Sequence, residues 1–130
     1  MHAAGTFKVD VKPVDASEIG KAAGLGRMTI DKVWSGDITG TSRGEMTTSA
    51  VGSTMVYVAL ETMTVSVDGK AGTFVLAHKA TMNTGDPKSG VLDISVVTGT
   101  GTGELAGILG TLTIVMDSSG HSYAFDYVLP

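Results

Sequence analysis

The segment TGTGTGELAGILG, residues 98–110, carries five glycines around a single acidic side chain, Glu104. Glycine packs nothing and loses the most conformational freedom on ordering, so such a run does not make an ordinary strand interior. It reads as a tight crossing of the backbone between two strands, with Glu104 held at a fixed place in it. Any fold for this chain has to supply neighbours close enough to need those glycines.

On both sides of the crossing the pattern has a period of two. Thr6–Lys12 sets Phe7, Val9 and Val11 on one face. In Met28–Trp34 the residues Met28, Ile30 and Trp34 share a face, with Lys32 the exception. Glu45–Val51, Thr54–Val67, Gly72–Met82 and Val91–Val97 follow, then Thr111–Met116 and Ser122–Leu129 after the glycines. Asp68-Gly69 is the strongest hairpin signal, a dipeptide suited to the positive φ angles of a type I′ turn. Further turns are expected in SGDITGTSRG (35–44), at Gly52-Ser53, in NTGDPKSG (83–90) starting at Asp86-Pro87, and in DSSG (117–120). Pro13–Gly26 reads as a loop over a barrel mouth. No segment sustains a 3.6-residue period. About eight strands with short turns imply an all-β sandwich or a closed barrel in one domain spanning residues 1–130.

The balance of 9 basic against 13 acidic residues, net −4, argues against a nucleic-acid partner, and no basic cluster offsets it. Absent cysteine excludes disulfides and zinc–thiolate sites. His2, His78 and His121 show no metal-ligand spacing, so no metal and no cofactor are expected. The N-terminus lacks the apolar core of a signal peptide and no run reaches the length of a membrane span, which makes a cytoplasmic chain the expectation. Apolar residues fall on both faces of some strands: Val56, Val58 and Leu60 alternate with Met55, Tyr57 and Ala59. A two-sided apolar strand suggests a subunit interface, most simply a homodimer.

With the strands laid out, Gly101–Gly110 resembles the GTGxLxGIxG crossing of allene oxide cyclase and dirigent-type barrels. The chain is similar over nearly its whole length to a bacterial family of unknown function, DUF3224, that adopts this barrel. GTFKV (5–9), SGDITG (35–40), GTFVLAH (72–78), GTGELAGILG (101–110) and YAFDYVLP (123–130) carry the likeness, in that order. The resemblance implies an eight-stranded antiparallel barrel of the allene oxide cyclase or calycin type, with at most one short helical turn. It also implies an interior cavity for an apolar small molecule. The better-known relatives cyclise or couple such molecules, but outside the glycine motif this sequence departs from them, so their catalytic residues do not transfer.

GTGELA also fits the dinucleotide pattern G-x-G-x-x-G/A. Strand resumes at Thr111, leaving no room for the long helix that pattern needs, and a nucleotide site is rejected. His78 shares its face with Phe74, Leu76, Ala80 and Met82, so it points into an apolar interior, either as a satisfied core residue or as a proton carrier. Glu61 lies on the strand paired through Asp68-Gly69, on the face of Tyr57 and Met63. If the threonines opposite are outside, Glu61 points inward near His78. That pair suits proton transfer to and from carbon, in a cofactor-independent isomerase, cyclase or lyase, with Tyr123 as a hydrogen-bonding partner. Trp34, Tyr57, Met63, Phe74, Leu76 and Phe125 are expected to shape the ligand cavity. Glu104 is expected either to lock the crossing or to reach the ligand. Three functions remain open at this point: an acid–base enzyme, a non-catalytic lipocalin-like carrier, and a filled scaffold without a ligand.

Overall fold

Alternation of inward apolar and outward polar side chains produces strands that close on themselves in chain order. The computed structural model describes residues 1–117 and 120–130, with the side chains of 87–89 and 117 excepted. The strands are β1 (His2–Val14), β2 (Leu25–Gly36), β3 (Ile38–Val51), β4 (Thr54–Val67), β5 (Lys70–Asn83), β6 (Asp86–Val96), β7 (Leu109–Asp117) and β8 (Gly120–Val128). Each pairs antiparallel with its sequence neighbours, and β8 returns to β1, giving a closed barrel.

The sequence reading and the structure differ at three connections. The 13–26 loop contains a six-residue helix, α1 (Glu18–Ala23). Ser17 caps it by accepting from the Gly20 N–H, and Gly24 ends it in the left-handed region at φ 74°. Such local capping signals work without the long periodicity a larger helix would show. The turn expected across 35–44 shrinks to Gly36-Asp37, and Ile38–Val51 runs on as one strand. In 83–90 the turn sits at Thr84-Gly85, and Asp86 already opens β6. The DSSG turn falls on 118–119, outside the described residues. The Asp68-Gly69 hairpin has the expected geometry, with φ of 49° and 83°.

One end of the barrel is shut by the glycine crossing. Its 3₁₀ turn, Gly103–Leu105, tucks Leu105 and Ile108 into the core beside Val67, Phe74 and Phe125. The close approach explains two of the glycines. A Cβ on Gly72 would overlap the Thr102 carbonyl oxygen, and one on Gly101 would overlap that of Leu105. Glu104 stays exposed, and its Oε1 accepts from the Ala71 N–H at 3.2 Å, tying the crossing to β5. At the same end the Tyr127 hydroxyl donates to Asp68 Oδ2, linking β8 to the β4–β5 turn.

The opposite end carries α1, the Gly52-Ser53 turn and the Thr84-Gly85 turn, and is not plugged. Outward residues include exposed Val33, Val58 and Leu60, the second apolar face that the sequence shows. Among the described residues no helix is long and apolar enough to cross a membrane.

Replacing Gly101 by Ala is expected to lower stability by about 1–3 kcal/mol, the usual cost of overpacking. Urea unfolding measures it. An unchanged midpoint would show that the crossing does not need this glycine.

Candidate functional site

The interior of β4 reads, from the open end inward, Met55, Tyr57, Ala59, Glu61, Met63, Val65, Val67. Burial confirms this register: Ala59, Glu61, Met63, Val65 and Val67 are buried while Val58, Leu60, Thr62 and Thr64 are exposed. Ala59 pairs with His78 across β4–β5 and Glu61 with Leu76. That places both titratable side chains on the same inner wall, one step apart.

Glu61 is completely buried, and His78 is 5% exposed. The His78 Nε2 lies 2.7 Å from Glu61 Oε1. On the facing wall, Lys32 is only 6% exposed and its Nζ donates to the same Oε1 at 3.2 Å. Ser42 donates its hydroxyl proton to Oε2, and itself accepts from the Trp34 indole N–H at 2.9 Å. The Lys32 ammonium also sits 4.8 Å from the Phe7 ring centroid and 5.3 Å from that of Trp34. Every partner of Glu61 is thus a donor.

Burial by itself drives the Glu61 carboxyl upward. The His78 hydrogen bond, the Lys32 charge and the Ser42 hydrogen bond together outweigh it, and the pKa lies below the ordinary value of 4.5. An ionised carboxylate only accepts, so His78 carries its proton on Nε2. The network is closed: among the described residues no buried side-chain nitrogen or oxygen lacks a partner.

Above this layer the barrel opens into a cavity of about 570 Å³. Its inward-facing walls are Thr48, Met55, Tyr57, Ala80, Met82, Leu92, Ile114 and Met116. Neither His78 nor Glu61 lines it. Tyr57 belongs to the cavity and feels the layer beneath, since its hydroxyl pKa is raised first by burial and then by the Glu61 charge. Among the described residues a single ladder pair, Ser95 with Thr111, joins β6 to β7. The cavity runs along this loosely paired seam, between Leu92 on one side and Ile114 and Met116 on the other. A larger hollow of about 800 Å³ lies across β2–β5, lined by outward Asp31, Arg43, Glu45, Val58 and Leu60 and also by the inward Ile30, Ala59 and His78. It carries the exposed Arg43–Asp31 pair and reaches His78 but not Glu61.

The site residues expected from sequence separate into five places. His78 and Glu61 meet as expected, with Trp34 joined to them through Ser42. Met63, Phe74, Leu76 and Phe125 are buried in the solid core toward the closed end, and Phe74 stacks on Phe125 at 6.0 Å. Tyr57 alone lines the cavity. Tyr123 lies against Trp34, and its hydroxyl donates to the Ser35 carbonyl at 2.9 Å while accepting from the Ile38 N–H at 2.9 Å. These bonds stitch the β2–β3 turn. Glu104 is on the outside of the closed end. Sequence reasoning passed over Lys32 and Ser42. Lys32 breaks an apolar face between Ile30 and Trp34, and a cation in such a position calls for a buried anion. Ser42 fell in a segment read as a turn. Among the described residues no group of acidic or histidine side chains is placed to hold a metal ion.

The family described as a protein of unknown function, DUF3224, matches residues 3–127. A solved structure of a DUF3224 protein of unknown function from Shewanella oneidensis is similar at 34% identity, covering 100% of this chain and 97% of that one, with a TM-score of 0.84. No curated protein matches the chain.

Two outcomes follow from the buried carboxylate. Lys32→Met leaves Glu61 with a lone buried charge and is expected to cost about 3–5 kcal/mol, the range for breaking a buried ion pair from one side. Denaturant unfolding at neutral pH measures this, and a loss under 1 kcal/mol, the worth of an exposed pair, would contradict the ion pair. Because the folded pKa of Glu61 is lowered, its contribution is present above the unfolded value near 4.5 and is lost as pH falls through the lower folded value. Stability of the wild type should therefore drop more steeply than that of Glu61→Gln between about pH 4.5 and the acid limit. Parallel curves would show that the carboxylate is not held ionised.

Proposed function

This chain belongs to the DUF3224 family, and from the cavity at the open end of its barrel we propose that it binds a small, largely apolar molecule there. The observation that carries this reading is a largely apolar hollow of about 570 Å³ at the barrel mouth, within the usual size of small-molecule sites. Its walls are a Leu, an Ile, an Ala, three methionines and a few hydroxyls. Methionine is unbranched and polarisable, so a rim of Met55, Met82 and Met116 adapts to ligands of differing outline. The weak β6–β7 pairing supplies a side on which a ligand can enter without unravelling a full ladder.

Binding without turnover is the version that the geometry favours. His78 and Glu61 have the spacing of an acid–base pair, but a proton donor or acceptor has to come within hydrogen-bond reach of the substrate. Glu61 has no exposed surface and lines neither hollow, and His78, which borders only the 800 Å³ one, is 5% exposed and bonded through its Nε2 to Glu61. The network is better suited to fixing the inner wall on which Tyr57 stands.

The reading is tested with N-phenyl-1-naphthylamine, whose fluorescence rises on leaving water. The wild type is expected to bind it saturably at one molecule per barrel. Ala80→Phe, which fills the cavity from β5 without touching Glu61, is expected to weaken binding at least tenfold while remaining folded by circular dichroism. Equal binding by the two proteins would place the probe elsewhere and remove the cavity from consideration.

A further inference from the structure

The cavity lining says more than that its ligand is apolar. None of the described lining residues is charged, and the side-chain polar groups are the hydroxyls of Thr48, Tyr57 and Thr81. Thr81 lies on the alternate face of β5 from Ala80 and Met82, which leaves Thr48 and Tyr57 as the hydroxyl residues of the inward wall. They are direct cross-strand partners, Thr48 on β3 opposite Tyr57 on β4. Tyr57 is half-buried, and no hydrogen bond to its hydroxyl is formed among the described residues. Among the described residues no buried side-chain oxygen is left without a partner, so this hydroxyl is reachable from the cavity or from solvent.

The layer beneath contributes a fixed charge. Glu61 lies four residues further in on the same face as Tyr57 and stays ionised. The one buried cation of that layer, Lys32, is committed to Glu61 and to the faces of Phe7 and Trp34. An anionic ligand head in this mouth would lose water and find no described cation to replace it, while a carboxylate sits below. A neutral oxygen has a donor waiting.

We propose, building on the ligand-binding reading above, that the mouth selects uncharged apolar molecules bearing one hydrogen-bond-accepting oxygen, such as alcohols or ketones, over the matching carboxylates, with Tyr57 as the residue that chooses the oxygen. The Tyr57 hydroxyl donates to the ligand oxygen. Thr48 beside it serves a second polar atom, and the methionine rim covers the hydrocarbon part.

Displacement of bound N-phenyl-1-naphthylamine at pH 8 tests this with 1-decanol, 2-decanone and decanoate, which share a chain length. The alcohol and ketone are expected to displace the probe with at least tenfold lower midpoints than decanoate. Tyr57→Phe is expected to weaken decanol about fivefold beyond whatever it does to the probe itself, the worth of one neutral hydrogen bond. Decanoate competing as well as decanol would overturn the selectivity while leaving ligand binding intact. Equal weakening of probe and decanol would reduce Tyr57 to a piece of wall and overturn its selecting role. A wild type that takes up no probe would remove the binding reading itself, and this inference with it.

Discussion

A full negative charge in the middle of an apolar barrel is the condition around which the interior is arranged. An isolated buried carboxylate would either protonate or unfold its surroundings. Glu61 does neither because three strands deliver donors to it: Lys32 from β2, Ser42 from β3 and His78 from β5. Two of these partners are themselves fixed, Lys32 by two aromatic faces and Ser42 by the Trp34 indole. The layer therefore spans four consecutive strands and sets their mutual register from within. An apolar replacement of similar volume often matches such a network in stability, so its value lies as much in specifying one arrangement as in strengthening it.

The two ends of the barrel answer different demands. At the closed end, glycines allow the crossing to lie against β5 so closely that no Cβ fits, and buried Leu105 and Ile108 complete the core. Tyr123 and Tyr127 use their hydroxyls on turns there, and the Tyr127 phenol, buried and bonded to Asp68, is pushed up to about 12. At the open end the inward positions are held by methionines and short side chains, and among the described residues β6 and β7 share a single ladder pair. The charged layer separates a packed half from a hollow one.

Much of this was legible because a strand has only two faces. Once His78 is placed among Phe74, Leu76 and Met82, the hairpin at Asp68-Gly69 brings Glu61 onto the neighbouring inward column, and their contact follows. The partners on β2 and β3 were harder to read. Lys32 stood out as a break in an apolar face, but a single sequence does not show which distant anion answers it. Ser42 was hidden because the glycines make residues 35–44 look like a turn, whereas the strand runs through them from Ile38 and Gly44 faces the β4 backbone. The cavity was misjudged for a related reason. Phe74, Leu76, Met63 and Phe125 are inward, as parity requires, but parity does not give depth along the barrel axis, and these lie on the filled side. The methionines that line the hollow come from β4, β5 and β7, and nothing local in the sequence unites them.

Depth also decides what the buried charge is able to do. A carboxylate with no exposed surface and three donor atoms around it cannot easily meet a substrate, but its field is not stopped by the side chains that hide it. In a medium of low polarizability the interaction between charges falls off slowly, and groups above the layer respond to it. Tyr57 does so, its hydroxyl held protonated first by burial and then by Glu61. A phenol that resists ionisation remains a donor across the physiological range. The interior charge thus acts at one remove: it adds to the burial that raises the Tyr57 hydroxyl and makes the hollow above a poor place for another anion.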